Sequence, residues 1–338
     1  MAQLERGSML HQSGGLVRLA VCAGAALLVF CGQTLADGPP KDSATACFEV
    51  DARDKSLREV PCNVAMVRLA ANSGEVYAQN QFGLICALHV SNRGDIREAR
   101  LWFEKAARRG YAPAQVNLAV IYINGWGTSQ NYGVALNWLN AAAKQGHARA
   151  YANLGILYMN GWGVRRDYAE AFRYLELAAA AGDSGAQANL GYLYDGGLGV
   201  VKDYNAAADW YRRSAEQGNA LGQNNLADLY LRGLGVPQSY GDAFFWFQKS
   251  AEQGYIAAQI KLGFLLMHGL GTAKDPATAY SWILAASKAG DHRGDEYLPT
   301  LKAQLDQKQL AEANTKSQSQ AAAPGAFHPP NVGTSFVQ

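Results

Sequence analysis

Seven glycines, Gly74, Gly110, Gly146, Gly182, Gly218, Gly254 and Gly290, recur every 36 residues without one insertion or deletion. A fixed period of that length marks a chain of stacked supersecondary units, and it constrains this fold more than any other feature. The turn series Gly125-x-Gly127, Gly161-x-Gly163, Gly197-x-Gly199, Gly233-x-Gly235 and Gly269-x-Gly271 keeps the same step. So do Ala99, Ala135, Ala171, Ala207, Ala243 and Ala279, and the aromatics Trp102, Trp138, Tyr174, Trp210, Trp246 and Trp282. These four series share one register and define six repeats between Gly74 and Gly290. The chain has 36 glycines but only 10 prolines and no glycine at every third position, which excludes collagen. Its 49% apolar and 17% charged residues exclude a wholly disordered chain. A net charge of +2 lacks the basic excess of a nucleic-acid binder.

Each repeat reads as two helices. In the second, Ala114, Leu118, Ile121 and Tyr122 fall on one helical face, and Tyr132, Ala135, Leu139 and Ala142 make the stripe of a second helix. We call these helix A and helix B. Asn131, Asp167, Asp203, Ser239 and Asp275 stand where helix B starts and are good N-capping residues. The repeat-ending glycine fits the left-handed residue that stops a helix, and the Gly-x-Gly pair fits a tight turn from A to B. Gly83, Gly155, Gly191 and Gly263, with Ala at 119 and 227, remove bulk where the helices of a repeat cross. One helix pair cannot bury its apolar face alone, so stability must come from stacking. The expected fold is all-α, a right-handed α-solenoid with a concave face lined mainly by A helices.

The segments Asn153-Leu154-Gly155-Ile156-Leu157-Tyr158, Gly161-Trp162-Gly163-Val164, Asp167-Tyr168, Ala171 and Ala178-Ala179-Ala180-Ala181-Gly182 resemble the Sel1-like repeat, a relative of the tetratricopeptide repeat. Residues 75–110 depart from that pattern, with His89 and Ser91 at the turn-glycine positions and Cys86 at the tyrosine position. The resemblance implies a non-catalytic protein-interaction module of the bacterial secreted or periplasmic type. It names no partner.

The ends follow from composition. Residues 1–36 read as a secretory signal: Arg6 and Arg18 precede the apolar run Leu19–Phe30, and Thr34-Leu35-Ala36 offers a cleavage site. The run is short for a membrane span, although an uncleaved anchor is the alternative. The mature chain is thus expected to be extracytoplasmic and to have no membrane span. Residues 37–73 read as an N-terminal cap segment, 74–290 as the six repeats, 291–312 as a C-terminal capping helix and 313–338 as a disordered tail. In an oxidising compartment Cys47 and Cys62 could bridge, whereas Cys86 falls in an apolar helical pattern.

No catalytic constellation emerges, and neither a cofactor nor a metal site is expected. Gly182-Asp183-Ser184-Gly185 resembles a protease nucleophile loop, yet the register puts it in a turn between helices. Arg93-Gly94-Asp95 and Arg293-Gly294-Asp295 resemble integrin-binding tripeptides. Positions that vary inside a constant frame are free to encode specificity. Alignment with the tetratricopeptide pattern puts Val116, Val120 and Ile123 on the concave face. The counterparts of Val120 are Ile156, Tyr192, Asp228 and Phe264, and those of Ile123 are Met159, Asp195, Leu231 and Met267. Val120, Ile156, Tyr192, Asp195, Asp228 and Phe264 either line a groove for a protein or peptide with apolar anchors and a central basic residue, or pack against one another. The constant row Asn117, Asn153, Asn189 and Asn225, ending at Lys261, reads as a bond between adjacent repeats. The expected function is an extracytoplasmic scaffold or adaptor; the alternative is a secreted effector or adhesin acting on a host surface.

Overall fold

The computed structural model describes the backbone of residues 18–21, 28–31, 45–50, 57–62, 64–88 and 93–321, and the side chains of residues 67–87 and 96–321. Two short antiparallel hairpins come first: β1 (Arg18–Val21) with β2 (Leu28–Cys31), and β3 (Thr45–Val50) with β4 (Leu57–Cys62). The first hairpin lies within the segment expected to be a signal. In the second, Cys47 is opposite Val60 and Cys62 opposite Thr45; the expected Cys47–Cys62 bridge concerns side chains outside the described residues. From Val64 on, every described element is helical.

The chain divides into two compact units, residues 1–114 and residues 115–337. In the first, α1 (Val64–Ser73), α2 (Val76–Leu88) and α3 (Arg93–Arg108) pack around Ala71, Ala78, Phe82 and Trp102. The Phe82 and Trp102 rings meet edge to face at 5.3 Å, which suits the opposite charge of ring edge and face. Helix α1 falls within residues 37–73, the segment read as an N-terminal cap.

The second unit opens within α4 (Ala112–Asn124), an A helix, and nine helices follow it, alternating B and A. These begin with α5 (Tyr132–Ala143), α6 (Ala148–Asn160), α7 (Tyr168–Ala180) and α8 (Ser184–Gly196). They end with α9 (Tyr204–Glu216), α10 (Ala220–Arg232), α11 (Tyr240–Glu252), α12 (Ile256–His268) and α13 (Pro276–Lys288). All five expected capping residues cap: the side chains of Asn131, Asp167, Asp203, Ser239 and Asp275 each accept from a backbone N–H in the first turn of the following helix. The described glycines with positive φ are the seven repeat-ending ones and the ten of the turns.

The two glycines of a turn act differently. Gly233 ends α10 in the left-handed region at φ 67°. Gly235, at φ 66°, also lies against the preceding repeat: a Cβ there would stand 2.1 Å from the Tyr204 carbonyl oxygen, at the start of α9. Gly199 and Gly271 approach Tyr168 and Tyr240 in the same way. The glycines inside the A helices make the expected crossing, since a Cβ on Gly191 would fall 2.7 Å from the Tyr211 ring.

The residue one place beyond the aromatic row is the most deeply buried large side chain of its helix B in each repeat. Phe103, Leu139, Leu175, Tyr211, Phe247 and Ile283 are all fully buried, while Trp138, Tyr174, Trp210 and Trp246 are half-buried.

A glutamine ladder ties the repeats together. Gln187 Nε2 donates to the Ala179 carbonyl in the last turn of α7, and Gln187 Oε1 accepts from Gln217 Nε2 at 2.7 Å. Gln223 makes the same pair of bonds to Ala215 and Gln253. The ladder thereby adds a second kind of donor to last-turn carbonyls that also accept from the backbone N–H of Gly182 and Gly218.

Beyond α13 come a 3-10 turn over His292–Tyr297, α14 (Leu298–Lys302) and α15 (Gln307–Ala321). Helix α15 runs past residue 312, where the sequence pattern places the end of the cap. Ala313, Ser317 and Gln320, spaced four and three apart, turn one face of this polar segment inward. Lys288 Nζ donates to Ser317 Oγ at 2.8 Å, holding α15 on α13. Residues 322–338 of the expected tail, like residues 1–17, lie outside the described residues. Among the described residues no helix is long and apolar enough to cross a membrane.

Candidate partner-binding face

The variable row runs along the A helices and changes character midway. Val120 and Ile156 are 0% and 4% exposed, and Val116, Ile123 and Met159 are buried with them. These apolar side chains belong to the core rather than to an open groove, which corrects the expectation for Val120 and Ile156. Apolar groups gain by sinking between neighbouring helices, whereas a carboxylate at the same place is held at the rim by its hydration. The open stretch begins with Tyr192 on α8, which is 45% exposed. Asp195, one turn further on, and Asp228 on α10 are half-buried, as is Phe264 on α12. Phe264 lies 6.2 Å from the Tyr297 ring, outside the repeats proper.

The charges here are arranged across repeats. Asp228 Oδ2 meets Arg232 Nη1 at 3.3 Å, one turn on along α10, and its Oδ1 meets Lys261 Nζ on α12 at 2.9 Å. Lys261 is the residue that ends the asparagine row, and it bonds back to the preceding A helix, as a bond between adjacent repeats requires. Its ammonium also lies 5.2 Å from the Phe247 ring centre. Asp195, by contrast, makes no ion pair within 4.0 Å among the described residues. Burial holds the Asp195 carboxyl above its ordinary pKa, against the pull of Arg232.

Under this patch sits Tyr211 of α9, fully buried, its ring against Gly191. Its hydroxyl is engaged by the side chains of Asp195 and Asn225. It faces Asp195 and Asn225, with Tyr192 and Asp228 in electrostatic reach, and burial pushes its pKa far above the usual tyrosine value. One repeat pair earlier the register puts Leu139 where Tyr211 stands, and Asn153, in the place of Asn225, is fully buried with neither amide atom hydrogen-bonded. Sequence reasoning did not single out Tyr211. The signal was present, because it is the one hydroxyl in the row Phe103, Leu139, Leu175, Tyr211, Phe247 and Ile283.

Other candidates fall elsewhere. Arg93-Gly94-Asp95 opens α3, and Arg293-Gly294-Asp295 lies in the 3-10 turn. There Arg293 is bound to Asp291 and Asp295 to His292, so neither end of the tripeptide is held out for a receptor. Ser184 begins α8, with Asp183 capping it. Among the described residues no group of three or more His, Cys, Asp or Glu side chains comes together as a metal site would need.

Helix pairs at a 36-residue step, with an invariant frame and a variable A-helix row, define a helical-repeat protein of the tetratricopeptide type. The chain belongs to the Sel1 repeat family. That family's model matches residues 89–111, 112–147, 148–183, 184–219, 220–255 and 256–291, more than half of the chain. Among solved structures, a Sel1 repeat protein from Oxalobacter formigenes is 32% identical, with a TM-score of 0.59 over 66% of this chain and 96% of that one. A protective antigen of uropathogenic Escherichia coli with the same repeat fold, c5321, is 33% identical, covering 78% of this chain and 66% of its own, with a TM-score of 0.45. No curated protein matches. Sel1-repeat proteins are commonly protein-interaction scaffolds and generally non-catalytic.

Proposed function

We propose that this chain is a non-catalytic, extracytoplasmic scaffold that holds a protein or peptide partner on the A-helix face of its second unit. The observation that carries the reading is the contrast within one structural row. The frame positions repeat and are buried, while the face opens at Tyr192, Asp195 and Asp228 and ends at the half-buried Phe264. Exposed aromatics beside charge suit an anchored peptide. The order of Arg18, the apolar run Leu19–Phe30 and Thr34-Leu35-Ala36 supports export with cleavage after Ala36.

The test is affinity capture from the native envelope with the wild type and with Tyr192→Ala/Phe264→Ala. Asp228 is left intact, since removing it would strand Lys261 and Arg232. A partner held by the wild type and lost by the double variant, with unchanged helical CD, is the expected result. Equal retention by both would refute the assignment of the face. N-terminal sequencing of the captured chain should begin at Asp37.

A further inference from the structure

Resting on that reading of the face, we propose that residues 322–338 of this same chain lie along it, Phe327 against Phe264 and Phe336 against Tyr192, and compete with the partner. The polar groups of the face are already engaged. Asp228 holds Arg232 and Lys261, and the Tyr211 hydroxyl is shared by Asp195 and Asn225. Two carboxylates and two cations leave the centre of the face without net charge, so a charged segment would have to break resident pairs to make its own. What stays unmet is apolar: Tyr192 is 45% exposed, and Phe264 is half-buried with Tyr297 beside it. The occupant that fits is an uncharged segment with two aromatic anchors.

Residues 322–338 have that chemistry. They contain no Lys, Arg, Asp or Glu, and two phenylalanines, Phe327 and Phe336, flank Pro329-Pro330. Their starting point is fixed beside the face. The Gln320 carbonyl oxygen lies 3.4 Å from Gln259 Nε2 on α12, and Phe264 follows on the same helix, about 8 Å further along its axis. Six extended residues reach about 20 Å, enough to carry Phe327 over the helix surface to Phe264. From α12 to α8 is two steps between neighbouring A helices, about 16–20 Å. The stretch from Phe327 to Phe336 spans about 28 Å in the extended form that prolines favour, so both anchors are reached without strain. A tethered segment acts at about millimolar effective concentration, so even a weak contact is populated. Occupancy of about three quarters would weaken a competing ligand about fourfold. Ordering a segment on docking is exothermic, so the contact fades on heating and the melting temperature does not register it.

The probe is a fluorescein-labelled peptide of residues 322–338, titrated at 25 °C into the full chain and into a chain ended after residue 321. The expected result is saturable binding to the shortened chain and about fourfold weaker binding to the full chain. Phe327→Ala/Phe336→Ala in the full chain should restore the tighter value, and Tyr192→Ala/Phe264→Ala in the shortened chain should abolish binding with helical CD unchanged. No saturable binding to the shortened chain, equal binding to both lengths, or binding that survives Tyr192→Ala/Phe264→Ala would overturn the proposal. Amide spectra of the two chains give an independent reading, with shifts expected in α8, α10 and α12. Differences confined to α15 would overturn it, as would differences that grow with protein concentration, which would place the segment on a second copy. A partner captured through Tyr192 and Phe264 in equal amounts by both chain lengths would sink the tail contact alone and leave the face standing.

Discussion

Replacing Gly235 by Ala and, separately, Gly218 by Ala separates two burdens that a sequence cannot distinguish. Both residues hold positive φ, 66° and 84°, and a left-handed alanine costs about 1–2 kcal/mol. A Cβ on Gly218 meets nothing within 4 Å, so Gly218→Ala should show only that conformational penalty. A Cβ on Gly235 would stand 2.1 Å from the Tyr204 oxygen and 2.3 Å from its carbonyl carbon. Ordinary carbon–oxygen contact is about 3.3–3.6 Å, so the turn or the start of α9 must give by about 1.3 Å. Overpacking of that kind typically adds about 1–3 kcal/mol, giving about 2–5 kcal/mol in all for Gly235→Ala. Urea unfolding followed by CD gives the totals, and native-state hydrogen exchange locates the loss, because a repeat array need not unfold as one unit. Exchange should accelerate in α9, α10 and α11 for Gly235→Ala. If the two variants are destabilised equally, within about 0.5 kcal/mol, the close approach between repeats is not what holds Gly235 in place.

Three further outcomes follow from neighbouring features. His147 caps α6 without a side-chain hydrogen bond, and burial, aided by Arg149, lowers its pKa. The unfolded chain therefore takes up this proton first as pH falls below about 6.5, and stability drops over that range. His147→Asn should abolish this component and, by capping as Asn219 does, add about 1 kcal/mol in urea titrations at neutral pH. Gln223→Leu removes the donor to Ala215 and one of the two acceptors of Gln253 Nε2, which keeps the Lys249 carbonyl, and should cost about 0.5–1.5 kcal/mol by the same titration. Ending the chain after residue 321 should leave the melting temperature unchanged. Ending it after residue 312 removes the buried Ala313, Ser317 and Gln320 and should lower it by about 4–8 °C, from about 2 kcal/mol at 2–4 °C each.

What could be read from the chain alone was its frame, because a position that repeats six times announces a structural role wherever it sits. Asn131 and its equivalents cap, and Gly191 makes a crossing, as their spacing demands. Periodicity could not show that Gly235 touches Tyr204, a contact between repeats made by backbone that carries no residue-type signature. Nor could composition keep α15 helical to Ala321: its sequence is polar, and only the inward spacing of Ala313, Ser317 and Gln320 on α13 anchors it. Legibility at the face was weaker for a different reason. Position in a repeat assigns a row, but the side chain decides whether that row is core or surface, so Val120 sinks while its counterpart Tyr192 emerges. The polar groups of the face lie where constant rows are interrupted. Tyr211 puts a hydroxyl into an otherwise apolar row, and Lys261 ends the asparagines and pairs with Asp228 of the preceding A helix.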